Sequence, residues 1–115
     1  FLNHISKKLG QEAVLTQAAQ LEKYYQSTLG ISKSIPAVIL PKNTEEVQIV
    51  VQHAHTYHIS LYPISRGLNW GYGSRLAVKD NQVILDLSLM NAIRAINQEF
   101  AYAIIEPGVS QQQLY

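Results

Sequence analysis

The glycine-rich segment from Ser65 to Ser74 is the part of this chain whose residue types point most clearly to chemistry. It reads Ser-Arg-Gly-Leu-Asn-Trp-Gly-Tyr-Gly-Ser and directly follows an apolar run that is typical of a buried strand. Glycine permits positive φ angles and close approach of the backbone to a ligand, so successive N–H groups can converge on an anion. The segment therefore predicts a loop that binds an anion such as a pyrophosphate, which would suit a dinucleotide.

The spacing of these glycines matches neither of two familiar nucleotide-binding patterns. It is not the G-x-G-x-x-G of a Rossmann turn, and no Lys-Ser/Thr pair follows as in the G-x-x-x-x-G-K-[ST] of a P-loop. A long surface turn without a ligand is the alternative interpretation, and the glycines alone favour it because such patterns often arise by accident. Other parts of the sequence must decide between the two.

The histidines and the absence of cysteine argue against a metal centre. His53 and His55 are two residues apart on a predicted helix, so their directions differ by roughly 200° and one metal cannot bind both. We interpret them, with His4 and His58, as solvated helix-face or helix-end histidines. Without cysteine, the sequence holds no thiolate zinc site, disulfide or cysteine nucleophile.

The elements that must position the loop follow from apolar periodicity and capping residues. Residues 1–29 have helical character and are predicted as two short helices divided near Gly10. Asn43, followed by acidic residues, predicts a helix over Thr44–Tyr57 with one apolar face toward a sheet. That face comprises Val47, Val50, Val51, Ala54 and Tyr57. The predicted strands are Ala37–Leu40, Leu61–Ser65, Val83–Leu87, Ile93–Ile96 and Ala101–Ile105.

The order of these elements indicates an α+β fold, in which a small parallel or mixed sheet packs with helices. Residues 1–30 are predicted as a helical lead-in, and residues 31–115 as the first part of a ligand-binding domain. The chain begins at Phe1 and ends at Tyr115, within what is predicted as the opening of a helix. We therefore expect it to be the N-terminal piece of a longer protein.

Composition and charge restrict the classes of function. The chain has 47% hydrophobic and 15% charged residues, the balance of a globular protein rather than a disordered one. Nine Lys and Arg against eight Asp and Glu, without a basic run, argue against a nucleic acid partner. No apolar run approaches the roughly 18 residues of a membrane span. We expect a soluble protein of the cytoplasm or periplasm, and the sequence does not decide between these compartments.

Four segments, in order, resemble the flavin-binding domain of the vanillyl-alcohol oxidase and p-cresol methylhydroxylase superfamily. They are Ile35–Pro41 with Thr44–Val47, the loop Pro63–Gly73, Val83–Asn91, and Glu106–Val109. The run Asn-Trp-Gly-Tyr-Gly is most similar to the branch of p-cresol methylhydroxylase and its 4-alkylphenol-oxidising relatives. The resemblance implies that FAD is the cofactor, and that residues 31–115 form the N-terminal portion of the FAD-binding domain, truncated at its C-terminal end.

The resemblance also implies a part in FAD binding for eleven residues. Gly73 and Ser74 would finish the turn of the loop, and Pro107 and Gly108 would lie against the adenosine half of the cofactor. The residues whose backbone would wrap the pyrophosphate are Ser65, Arg66, Gly67, Leu68, Asn69, Gly71 and Tyr72. The catalytic residues would lie beyond Tyr115, so the sequence assigns none.

Many members of the superfamily attach the flavin through a histidine at the place that Asn69 takes here. An asparagine side chain cannot form that bond. Covalent attachment, if there is any, would therefore come from a residue beyond Tyr115.

Five further side chains have two interpretations each. Trp70 and Tyr72 could stack on a flavin or a phenolic ring, or anchor the turn to the core. Asp86 could accept a hydrogen bond from a ribose hydroxyl, although a cap for the following turn is the interpretation that we favour. Arg66 and Arg75 could reduce the charge of a pyrophosphate, or be solvated loop arginines.

By resemblance, the intact enzyme is an FAD-dependent oxidoreductase that oxidises an aromatic alcohol, a 4-alkylphenol or a related substrate by hydride transfer to flavin. The fragment alone would be inactive, because a missing C-terminal domain would bind the small-molecule substrate. The possible protein partners are a cytochrome or another electron acceptor. Further copies of the full-length enzyme, in a homo-oligomer, are also considered. Two other functions stay open: a nucleotide- or anion-binding module without redox activity, and a fragment that serves only folding or subunit contact.

Overall fold

The computed structural model of the protein describes residues 1–25, 27, 30–68 and 75–115. The helices are α1 (Leu2–Leu9), α2 (Ala18–Tyr25), α3 (Thr44–Thr56) and α4 (Gln111–Leu114), with a short 3₁₀-helix at Gln11–Ala13. The strands are β1 (Val14–Leu15), β2 (Val38–Ile39), β3 (Leu61–Ile64), β4 (Val83–Asp86), β5 (Ile93–Asn97) and β6 (Tyr102–Ile105). Within these described ranges, no helix has the length and apolar character needed to cross a membrane.

The main sheet has four strands in the order β1-β2-β4-β3. Strands β2, β4 and β3 are parallel, and β1 runs antiparallel to β2. All four residues of β4 are buried, as expected for a central parallel strand that is covered on both faces. Ile64 is paired with Asp86, so the carboxyl ends of β3 and β4 lie side by side. The segments that follow these two strands therefore begin at the same edge of the sheet.

Two apolar clusters pack on the two faces of this sheet. One contains Ile5, Val50 and Leu85 and joins α1 and α3 to the sheet, whereas the other contains Tyr24 and Ile84 and joins α2 to it. The neighbours Ile84 and Leu85 belong to different clusters because successive side chains of a strand point to opposite faces. Helices packed on a small mixed sheet confirm the predicted α+β class.

Helix α3 begins where its sequence predicts. The side chain of Asn43 accepts a hydrogen bond from the backbone N–H of Glu46 at 2.8 Å. The carboxylate of Glu46 accepts in turn from the backbone N–H of Lys42 at 2.7 Å. The first bond satisfies a donor of the first helical turn, which has no partner within the helix, and the second fixes the residue before the cap.

The predicted apolar face of α3 is wrong at two of its five positions. Val51 and Tyr57 are 46% and 48% exposed, whereas Val50 and Ala54 are buried. Val51 lies about 100° around the helix from Val50, which takes it away from the stripe that meets the sheet. Tyr57 comes after the end of the helix, and its ring lies near that of Phe1, with the centroids 6.2 Å apart.

One strand was missed by the sequence prediction, and the others are confirmed with ends that differ by one residue. Val14 and Leu15 form β1 within a segment that was predicted as helical, and they pair with Ile39 and Val38. A strand of two residues has no periodicity of its own. Its conformation depends on pairing with β2, which a local pattern does not reveal.

Strands β5 and β6 form a separate antiparallel hairpin, as the two predicted strands suggest. Its apolar side chains are largely exposed: Ile96 is 63% exposed, Tyr102 50% and Ile104 52%. The hairpin leads from the end of the main sheet to the segment that begins at Glu106.

Candidate functional site

A cleft of about 620 Å³ lies where the carboxyl end of β3 faces the segment that follows β6. Residues 62–68 form one wall, and Pro107 with residues 109–112 forms the other. Ligands often bind outside the carboxyl ends of parallel strands, in clefts of about 300–1,000 Å³. The position and the size of this cleft both suit a ligand.

Six of the eleven predicted site residues lie in the described part of the chain, and the structure brings them together. Five of them line the cleft, namely Ser65, Arg66, Gly67, Leu68 and Pro107. The sixth, Gly108, accepts a hydrogen bond at its carbonyl oxygen from Nη1 of Arg66, at 3.0 Å. The remaining five predicted residues fall outside the described residues, as does Trp70, and they are Asn69, Gly71, Tyr72, Gly73 and Ser74.

The backbone of residues 65–68 has donors to offer to a ligand. The carbonyl oxygen of Ile64 still accepts from the N–H of Leu87, at 2.9 Å, as part of the sheet. Beyond it, and within the described part of the chain, the N–H groups of residues 65–68 make no backbone hydrogen bond. Successive N–H groups in such a turn can converge on an anion.

Gly67 is required by its conformation and by its surroundings. Its φ angle is +62°, in the left-handed region that side chains other than glycine rarely adopt. A Cβ atom at this position would collide with Cγ of Arg75. Gly67, in the first part of the loop, therefore packs directly against Arg75.

Gly108 is required because the turn after β4 leaves no room for a side chain. Its N–H donates to the carbonyl oxygen of Met90 at 2.7 Å. A Cβ atom would lie 2.7 Å from the carbonyl oxygens of Leu87, Ser88 and Met90, well inside van der Waals contact. The second wall of the cleft is thus fixed to the carboxyl end of β4.

Asp86, the last residue of β4, is a buried carboxylate with two partners. Its Oδ1 accepts from the N–H of Ser88 at 2.9 Å, which confirms the predicted cap of the turn. Its Oδ2 accepts from the hydroxyl of Tyr24 at 2.6 Å. Burial, together with this bond to Asp86, raises the pKa of Tyr24 far above its usual value, so the hydroxyl stays protonated and donates. Both carboxylate oxygens therefore serve the protein's own structure.

The sequence analysis missed Tyr24 as a partner of Asp86, because 62 residues separate the two. The available signal was weak. Leu21 and Tyr24 are three residues apart and form the buried stripe of α2. A polar aromatic residue on such a stripe needs a hydrogen-bond partner when it is buried.

The two arginines that flank the loop are both engaged within the protein. Arg66 donates to Gly108, and it also lines the cleft, where its charge can attract a phosphate. The guanidinium carbon of Arg75 lies 6.0 Å from the centroid of the Tyr24 ring, within the range of a cation–π contact. Neither side chain is the freely solvated arginine that was the alternative.

The histidines give no metal site in the ranges that the structure describes, where no group of three or more potential ligands occurs. The rings of His4 and His53 are 4.5 Å apart between centroids. Nδ1 of His53 lies 2.8 Å from the carbonyl oxygen of Ile49. His53 therefore helps to pack α1 against α3, which corrects its interpretation as a solvated residue.

Comparison with known proteins identifies the family. The profile of a family described as an FAD binding domain matches residues 35–115. The chain belongs to this FAD-binding family. The matched range contains β2, β3, β4 and both walls of the cleft, and it confirms the predicted family and the predicted cofactor.

Two curated relatives and one solved structure show how similar this FAD-binding chain is to known proteins. It is 41% identical over 106 residues to 1′-carboxy-chondrochloren decarboxylase of Chondromyces crocatus, which covers 92% of the chain and 20% of that protein. It is 38% identical over 110 residues to the 4-cresol dehydrogenase (hydroxylating) flavoprotein subunit of Pseudomonas putida, covering 93% and 21%. The structure of p-cresol methylhydroxylase with substrate bound gives a TM-score of 0.94 at 36% identity, covering 99% of this chain and 23% of that one. The chain spans about a fifth of the length of the curated relatives that it matches.

The described residues of this FAD-binding chain fit the pyrophosphate part of the cofactor. Residues 65–68 line the cleft, and within the described part of the chain their N–H groups make no backbone hydrogen bond. One of these residues, Arg66, also brings a cationic side chain. Backbone N–H groups and arginine are the donors that proteins commonly use to bind phosphate oxygens. The donor chemistry of the cleft thus agrees with the cofactor of the family.

Proposed function

We propose that the cleft binds the pyrophosphate and the adenosine half of FAD, and that the chain is the first portion of the FAD domain of a flavin-dependent oxidoreductase. One observation carries the proposal: the start of the loop and the 107–108 segment meet across one cleft and are joined by the bond from Arg66 to Gly108. Family membership supports it, because both segments lie within the matched residues.

Each part of the cleft has a proposed role. The backbone N–H groups of residues 65–68 bind the pyrophosphate, and Arg66 adds a positive charge beside them. Pro107 and Gly108 lie against the adenosine half. The proposed set is completed by the predicted loop residues outside the described ranges, Asn69, Gly71, Tyr72, Gly73 and Ser74.

The proposed organisation has a helical lead-in at residues 1–30 and the first part of the FAD-binding domain at residues 31–115. Helices α1 and α2 of the lead-in pack on the two faces of the same sheet that forms the cleft. The lead-in therefore supports the site, although it lies before the residues that match the family.

For the substrate, we infer a 4-alkylphenol or a related aromatic alcohol. The support comes from the relative named 4-cresol dehydrogenase and from the similar structure of p-cresol methylhydroxylase. Bound FAD supplies the hydride acceptor, while the residues of this chain hold and orient it. The word "subunit" in the relative's name supports a protein partner, which we propose to be a cytochrome or another electron acceptor.

The experiment is to purify the full protein that carries these residues and to mix it, without oxygen, with a 4-alkylphenol. We expect a yellow protein whose visible flavin absorption disappears as the substrate is oxidised. A yellow protein that no alkylphenol or aromatic alcohol bleaches would contradict the substrate class alone. Since one relative is named a decarboxylase, release of CO₂ from a carboxylated aromatic substrate is the next assay.

A colourless protein would contradict the proposal as a whole. If that protein bound ADP or inorganic pyrophosphate in the cleft, the alternative of an anion-binding module without redox activity would be correct. Absence of any ligand would instead favour a role in folding or subunit contact.

A further inference from the structure

Tyr24 and Asp86 form a buried hydrogen-bonded pair beside the cleft, and neither of them lines it. Tyr24 belongs to α2 and has no exposed surface, and Asp86 ends β4 and is 3% exposed. Burying a carboxylate costs free energy unless it is well bonded. Apolar packing alone therefore does not explain why this buried position holds a tyrosine and an aspartate.

Asp86 connects the pair to the wall of the cleft that carries Gly108. Its bond to the N–H of Ser88 fixes the turn at residues 87–90. The carbonyl oxygens of that turn surround Gly108 so closely that a Cβ would lie 2.7 Å from three of them. A shift of the turn would therefore displace Gly108, whose own carbonyl oxygen holds the side chain of Arg66.

Tyr24 connects the pair to the other wall. Its ring lies beneath the guanidinium of Arg75, which is 6.0 Å from the ring centroid. The aliphatic part of the same arginine packs so tightly on Gly67 that no Cβ fits there. Gly67 lines the cleft at the start of the loop. The Tyr24 ring thus lies against the arginine that packs on the first part of the loop.

We propose that Tyr24 and Asp86 are positioning residues for FAD, whose single hydrogen bond sets the geometry of both walls, through Arg75 on one side and Ser88 on the other. This inference rests on the proposed function, because it assumes that the cleft binds FAD. It assigns part of the affinity for the cofactor to α2, which lies before the residues that match the FAD-binding family.

The test is the variant Tyr24→Phe in the full protein, which removes the hydroxyl and keeps the ring. We expect the Kd for FAD to rise about tenfold and the visible circular dichroism of bound flavin to change, because a buried acceptor has lost its donor. The matched control is Tyr25→Phe, the same change at the next residue of α2, which should alter the Kd by no more than about twofold. All Kd values are measured well below the unfolding temperature of every variant.

A second variant, Asp86→Asn, covers the case in which Tyr24→Phe does not fold. Asparagine removes the charge and has one acceptor oxygen instead of two. If that oxygen keeps the bond from the N–H of Ser88, the amide nitrogen faces the hydroxyl of Tyr24, which must then accept a weaker, neutral bond instead of donating one. Since charge-assisted hydrogen bonds are roughly twice as strong as neutral ones, we expect the Kd for FAD to rise by about threefold or more.

The two proposals fail in different ways. A wild-type protein without affinity for FAD contradicts the proposed function. A wild-type protein that binds FAD, with unchanged Kd in the folded variants Tyr24→Phe and Asp86→Asn, overturns the positioning role alone. A lower unfolding temperature with unchanged Kd, or loss of folding in both variants, would likewise show that the pair is merely structural.

Discussion

Nη1 of Arg66 donates a hydrogen bond to the carbonyl oxygen of Gly108, which is 3.0 Å away and 42 residues distant in the sequence. Arg66 follows β3 of the main sheet, whereas Gly108 follows the separate hairpin of β5 and β6. The bond therefore joins two parts of the fold that share no strand pairing. Since a guanidinium has five N–H donors, others stay available for a phosphate.

Replacing Arg66 by methionine should weaken FAD binding by about tenfold or more, because one wall loses its bond to the other and the cleft loses a positive charge. The measurement is the ratio of flavin to protein absorbance after dialysis, together with the Kd for FAD. Lys79→Met removes the same charge at an exposed position outside the cleft and serves as the control. Equal FAD retention by both variants would show that Arg66 has no part in the site.

Gly67 and Gly30 form a natural pair for testing how tightly the loop is packed. Both have positive φ angles, +62° and +67°. A Cβ on Gly30 meets nothing within 4 Å, whereas one on Gly67 collides with Arg75. Gly30→Ala should therefore cost only backbone strain, about 1 kcal/mol, and Gly67→Ala about 1–3 kcal/mol more.

Urea unfolding gives the free energy of unfolding for both alanine variants. Combining Gly67→Ala with Arg75→Ala should recover part of the loss, because the second change removes the atom in the way. If the two single variants lost the same free energy of unfolding, the close contact between Gly67 and Arg75 would be wrong.

The place of Asn69 in the sequence predicts that no flavin is covalently attached to the loop. After denaturation and proteolysis of the full protein, mass spectrometry should find the peptide that spans residues 66–80 without added flavin mass. Flavin on that peptide would mean that Asn69 does not correspond to the linking histidine of the superfamily. Flavin on a peptide from elsewhere in the full protein would agree with the prediction.

Glu106 should make the free energy of unfolding depend on pH in the acid range. Its carboxylate accepts hydrogen bonds from the backbone N–H of Ala92 and from the guanidinium of Arg94. These bonds lower the pKa of Glu106 below its usual 4.5. Because the folded pKa lies below the unfolded value, the stabilisation is complete above pH 4.5 and is lost as the pH falls through the folded pKa.

The comparison is between the wild type and Glu106→Gln, with the free energy of unfolding measured from about pH 7 to about pH 3. The difference between the two proteins should shrink as Glu106 becomes protonated. A difference that stayed constant over this range would show that the carboxylate charge does not stabilise the start of the 106–108 segment.

Local signals were sufficient for the elements that carry the site. Asn43 caps α3 where its side chain predicts, and the apolar run at Val83–Asp86 forms the central strand. The resemblance placed the start of the loop and the 107–108 segment in one site, and the structure brings both to one cleft. These features depend on neighbours within a few residues or on a motif, so they can be read along the chain.

Features that depend on distant pairing could not be predicted. Strand β1 is defined by β2, and the partner of Asp86 comes from a helix far away in the sequence. The exposed Val51 shows a different limit of the prediction. The periodicity of α3 predicts an apolar face that includes Val51, but the sheet covers a narrower part of the helix. In each case the missing information is the three-dimensional position of another element.

The strand order places β4 between β2 and β3, although β4 is the last of the three to be synthesised. In this order β2 and β3 pair with β4 and not with each other, so a nascent chain that ends before β4 lacks the strand that joins them. Contacts between residues far apart in sequence slow folding and leave strand edges exposed in the meantime. The cleft at the carboxyl ends of these strands therefore cannot be complete until the last of the three strands has inserted between the other two.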